Sequence, residues 1–205
     1  MSDVLDLTLM GESFITLFVI MDPPGAIPLF LSLTQGRSQA QRRKAAWQAT
    51  VVALAVIVAF ALFGRQILSY LHITLPALQC AGGLLLLLVA LELLTGREQD
   101  LSASRDVNVA LVPLGTPLLA GPGAIVATMV FAERVHDVAD FVALAGGVIG
   151  VHVVLWLTLR YSTLIVRLIH ESGILLVTRI SGLLLSAIAV QLIADSVRAF
   201  IAADS

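Results

Sequence analysis

The chain has 205 residues, 59% hydrophobic and 13% charged, with a mean hydropathy of +0.99 and a formal net charge of −2. A soluble domain carries about 25% charged residues, so a soluble fold is excluded, and no basic patch suits nucleic acid. Cys80, the one cysteine, rules out an intramolecular disulfide and fits no metal-ligand spacing.

The N-terminal stretch is acidic before its apolar run, whereas a secretory signal starts basic, so none is expected. Long apolar blocks mark membrane helices. They predict six spans at about 8–33, 45–70, 75–95, 108–132, 139–166 and 173–200. The expected fold is an all-α integral membrane domain over 1–205. The polar linker Thr95–Asp106 divides it into one three-span unit at 8–95 and another at 108–200.

Lys and Arg favour the cytoplasmic side. Nine of them fall by the loops after spans 1, 3 and 5: Arg37, Arg42, Arg43, Lys44, Arg97, Arg105, Arg160, Arg167 and Arg179. Arg65, Arg134 and Arg198, three in all, fall on the other side. This places both termini outside the cytoplasm.

Span 1 carries Asp22-Pro23-Pro24-Gly25 at its middle, and span 4 carries Gly121-Pro122-Gly123. Proline lacks an N–H and clashes with the preceding turn, so each span should break into two half-helices near the midplane. Asp22 is expected to cap the second half of span 1, with Pro23 first in that helix. Pro-Gly-Ala-Ile stands at Pro24–Ile27 and again at Pro122–Ile125, 98 residues on. Gly83-Leu84-Leu85-Leu86 matches Gly182-Leu183-Leu184-Leu185, 99 residues on. Two units of three spans cross in opposite senses, so the expected architecture is an inverted repeat with spans 1 and 4 broken.

Transporters built this way bind substrate at the repeat interface, at discontinuous helices. Helix starts leave N–H groups unpaired and carry partial positive charge, which suits an anionic group such as a carboxylate. The candidate substrate-binding residues are therefore Asp22, Pro24, Gly25, Ala26, Thr116, Gly121, Gly123 and Ala124. Asp22 is the one acid near a membrane centre. It suits a substrate ammonium, a coupling proton or a cation, besides a plain cap. Glu92, Gln191, His152 and Arg179 are weaker candidates. The paired glycines of spans 3, 5 and 6 read as packing faces.

These blocks resemble the MarC family of bacterial inner-membrane proteins over nearly the whole chain. The carriers are DPPGAIPLFLSLT (Asp22–Thr34), PLLAGPGAI (Pro117–Ile125), AGGLLLLLVALELL in span 3 and RISGLLLSAIAVQLI in span 6. Ala26 stands where that family's signature carries Asn, which removes a side-chain amide beside the break. The resemblance implies a transporter-like protein for small neutral amino acids such as glycine, alanine or serine, acting as an exporter in the lipid bilayer of the inner membrane. A passive channel and a non-transporting membrane partner are the alternatives. No enzymatic activity and no cofactor are expected. A nucleotide-binding loop is absent, and Cys80 and the scattered histidines form no catalytic set. A homo-oligomer is compatible with the pattern, although no face demands one.

Overall fold

The computed structural model of the chain describes residues 6–95 and 119–203. They form seven helices and no strand: α1 Leu7–Met21, α2 Ala26–Leu33, α3 Gln39–Tyr70, α4 Leu75–Thr95, α5 Pro122–Glu133, α6 Val138–Arg160 and α7 Ser162–Ala203. Four are long and apolar enough to cross a membrane, and α1 with α2, bent by 51° at their break, passes the same test as a pair. The expected first part of span 4 lies outside the described residues.

Local signals set the ends. The Asp6 carboxylate accepts from the Leu9 N–H (2.9 Å) to start α1, and Asp137 accepts from Asp140 (2.9 Å) to start α6. Ser38 and Gln41 form a reciprocal capping box at α3. That box starts α3 at Gln39, so Arg42, Arg43 and Lys44 lie in its first turns rather than in a loop before a span at 45. Span 5 ends at Arg160, short of the expected 166, because Tyr161 closes α6 and Ser162 opens a new helix. Within α7, His170 is non-helical (φ 61°, ψ 165°) and separates a first arm from the apolar Ser172–Ala202.

Small residues bring the helices close. Met10 meets Gly146 and Phe14 meets Gly150, so α1 and α6 run parallel. A Cβ at Gly147 would stand 2.9 Å from the Met10 carbonyl, so only glycine permits that approach. The α4 and α7 helices pack antiparallel: Gly83 lies against the Ala189 carbonyl and Ile193, and Gly182 against the Ala90 carbonyl and Leu93. Further contacts join α3 to α5 and α6, and α5 to α1 and α4.

Two buried apolar clusters result. The larger holds Leu17, Met21, Ala26, Phe30, Ile57, Leu119, Ala120, Ala124 and Leu155, among others. The smaller joins Leu86 and Ala90 of α4 to Leu185 and Ala189 of α7, with Val19 of α1. Polar contacts mark the two ends of the bundle. At one end Arg65 pairs with Glu133, and Arg134 with Glu12 (2.7 Å). At the other, Arg42 donates to Thr163 (3.0 Å), Trp47 packs edge-on to Trp156 (5.9 Å) and Arg160 lies over the Trp156 ring (5.1 Å).

Candidate functional site

The break in the first span is built by its prolines. The Asp22 N–H still donates to the Phe18 carbonyl (3.1 Å), which closes the last turn of α1. Pro23 and Pro24 then offer no N–H to the carbonyls of Val19 and Ile20. A proline also disfavours the right-handed helical region for the residue before it. Asp22 adopts the left-handed conformation (φ 38°, ψ 66°), which Asp tolerates better than most residues. The chain turns through Pro23–Gly25, and the Ala26 N–H donates back to the Asp22 carbonyl (3.0 Å).

Asp22 therefore terminates α1, where an N-cap for α2 was expected. Gly25 holds the cap position of α2, with no side-chain cap bond. The Asp22 side chain folds over Gly25 so closely that a Cβ there would strike the carboxylate. That same Cβ would stand 3.2 Å from Thr178 Oγ1. The residue is buried, 7% exposed. The Ser181 hydroxyl and the Gly25 N–H face its carboxylate, yet neither closes a hydrogen bond of normal geometry, and both oxygens are buried without a partner.

The second break has other neighbours. Leu119 and Ala120 form a turn, and Gly121 takes the cap position of α5 with Pro122 first in the helix. Pro122 has no N–H, and the amides of Ala124 and Ile125 both donate to the Gly121 carbonyl (3.0 and 3.2 Å). The Gly123 amide is thus the one in this first turn left without an intrahelical acceptor. Its Cα abuts the Leu86 side chain of α4. A helix of 12 residues rises about 18 Å, short of the ~30 Å hydrocarbon core, so α5 is too short to span it alone.

Of the sequence-predicted residues, Asp22, Pro24, Gly25 and Ala26 fall together at the first break, and Gly121, Gly123 and Ala124 at the second. Ala26 and Ala124 border the same apolar cluster, which brings the two breaks to one core. Thr116 lies outside the described residues. Glu92 and Arg179 are exposed, and Gln191, also exposed, donates to Asp195 (2.9 Å). His152 is buried, with Nδ1 2.8 Å from the Val148 carbonyl and Nε2 unpartnered. Gly82 and Gly83 of α4, Gly146, Gly147 and Gly150 of α6 and Gly182 of α7 pack against neighbouring helices.

Sequence reasoning missed Thr178 and Ser181, both buried on α7. Their three-residue spacing ahead of Gly182, Leu185 and Ala189 on the buried face was the available signal.

Residues 7–201 match the family model described as MarC family integral membrane protein. A UPF0056 membrane protein of Methanocaldococcus jannaschii is 37% identical over 95% of this chain and 98% of its own length. The UPF0056 membrane protein YhcE of Escherichia coli is 32% identical over 90% of each chain, and YvbG of Bacillus subtilis is 29% identical over 88% of this chain and 90% of its own. No solved structure matches the chain.

Proposed function

The chain belongs to the MarC family of integral membrane proteins, and from that premise we propose that it is a secondary transporter of small neutral amino acids, working as an exporter by alternating access. In this reading six spans form two inverted repeats, with both termini outside the cytoplasm of a bacterial inner membrane. The substrate sits between the two half-helix starts. The Gly123 amide at the head of α5 serves its carboxylate, and Asp22 supplies the opposite charge to its ammonium or to a coupling proton or cation. The protein acts as a carrier, with no enzymatic step.

The observation that carries the proposal is that the break after α1 and the start of α5 border one buried core, the first of them holding a buried carboxylate without a hydrogen bond of normal geometry. An intramembrane carboxylate marks a functional pathway by default. The repeat is supported by reciprocal packing. Gly83 touches the Ala189 carbonyl while Gly182 touches the Ala90 carbonyl, and each residue has its counterpart 99 positions on. Leu86 and Leu185 pair in the same cluster at that offset. An antiparallel helix pair with exchanged contacts is what a two-fold axis in the membrane plane produces. The orientation is supported by the bundle end where Arg42 and Arg160 gather, as cytoplasmic Lys and Arg do.

The test is uptake and counterflow of labelled alanine, glycine and serine in proteoliposomes. The proposal expects saturable exchange that Asp22→Asn and Gly123→Leu both abolish. Flux without counterflow would assign a passive channel, and no flux from the folded protein would remove the amino-acid assignment.

A further inference from the structure

Among the described residues no cationic side chain pairs with the Asp22 carboxylate. Among the described residues the ion pairs use Arg65, Arg134 and Arg198, all with Glu12, Glu133 or Asp195. Arg179 stands between Thr178 and Ser181 in sequence but is exposed, whereas those two are buried. A buried charged carboxylate without a counter-charge is strongly disfavoured, so the site is completed by a proton or by a cation from outside.

Beside the Gly25 N–H, two hydroxyls of α7 lie near the carboxylate. Helical hydroxyls here commonly turn back on their own helix: Thr34, Thr50, Thr128, Ser186 and Ser196 each donate to a carbonyl three or four residues earlier. Thr178 and Ser181 make no such bond, and both sit at Asp22 and Gly25. The carbonyl end of α1 adds to the set. Pro23 and Pro24 cannot donate to Val19 and Ile20, and a helix C-terminus carries partial negative charge. Half-helix C-terminal ends and unwound carbonyls are suited to holding sodium in membrane carriers.

We propose that Asp22, Thr178, Ser181 and the carbonyl end of α1 form a sodium-ion site. One carboxylate matches a monovalent charge, whereas calcium sites gather several carboxylate and carbonyl oxygens. The proposal rests on the transporter reading only for the purpose of the ion, as the coupling partner. The site itself stands or falls on ion binding.

The experiment is thermal unfolding of the purified full chain without amino acid, with sodium chloride replacing choline chloride at constant ionic strength and potassium chloride as a parallel series. The expected result is a saturable upward shift in Tm with sodium alone. It should vanish in Asp22→Asn and require severalfold more sodium in Thr178→Val and in Ser181→Ala. Ser196→Ala, whose hydroxyl bonds its own helix, should respond like the unaltered chain. Equal shifts with all three cations would overturn the proposal. So would a full sodium response in the Thr178→Val/Ser181→Ala double variant, which reads the site even if Asp22→Asn does not fold. A Tm that follows pH but ignores sodium would assign the carboxylate to a proton and overturn it too. Sodium binding without amino-acid flux would leave this site standing and remove the transport reading; flux without sodium binding would do the reverse.

Discussion

The two breaks share a tetrapeptide and differ in what stands behind them. At the first, α7 presents two hydroxyls to a buried carboxylate. At the second, α4 presents the Leu86 side chain to Gly123. Related sequence starts a helix at both places, with Gly25 in the helical region and Gly121 extended, and the neighbouring helix sets what each start faces. The first break gathers negative charge and oxygen and is suited to a cation. The second sets the first turn of α5 against the Leu86 side chain, and in the proposed transport cycle its Gly123 amide receives the substrate carboxylate.

The largest expected effect separates the two glycines. Gly25→Val places bulk directly against the Asp22 carboxylate and Thr178, and proteoliposome flux should be lost. Gly123→Ala sets a methyl against the buried Leu86 side chain, which must shift to admit it. It should cost about 1–3 kcal/mol of stability by overpacking and reduce flux without abolishing it. Equal loss from both substitutions would erase the contrast between the breaks.

Leu86→Ala comes next, at about 2–5 kcal/mol for a cavity in the smaller core. Combined with Gly123→Ala it should cost less than the two changes added, because the new methyl fills space that Leu86 vacates. A double-mutant cycle by thermal unfolding reads this coupling directly. Additive costs would mean that the leucine does not control the second break.

Asp22→Asn should have a smaller effect of opposite sign. In sodium-free buffer it removes an unpartnered buried charge, so the folded state should gain about 1–3 kcal/mol. A lower Tm than the unaltered chain would show that the carboxylate has a fixed partner within the protein. The smallest effect is expected at the rim, away from both breaks. Arg65→Ala and Glu133→Ala remove an ion pair whose arginine side chain is 79% exposed. The pair should be worth under ~1 kcal/mol in a double-mutant cycle, less at high salt.

Much of this was legible in the chain. Prolines and glycines inside apolar runs mark both interruptions, and the limits of α4 agree with its apolar block, Leu75–Thr95. The echo of Gly83 in Gly182 anticipates a close helix contact, and each glycine does lie against a backbone carbonyl of the other helix. The role of Asp22 was only half legible. Its burial follows from the span around it, but its left-handed backbone follows from two consecutive prolines and the last bond of α1. Thr178 and Ser181 were hidden for a different reason. A helical hydroxyl most often satisfies itself on its own backbone, and only the register of α7 against α1 tells that these two do not. The early start of α3 was hidden because a local capping box, Ser38 with Gln41, overrides the charge pattern that suggests a loop. The bend at His170 has no proline or glycine at the residue itself, so nothing in the local pattern announces it.

The most direct test of the account is thiol accessibility on either side of the two breaks. In a Cys80→Ser background, Thr178→Cys and Leu86→Cys each place a single thiol behind one break. A membrane-impermeant maleimide should label Thr178→Cys in proteoliposomes, and sodium with alanine should slow that labelling, while Leu86→Cys should react little. Equal reactivity at the two positions, or labelling of Thr178→Cys that sodium and alanine leave unchanged, would contradict a pathway along the charged face of the first break.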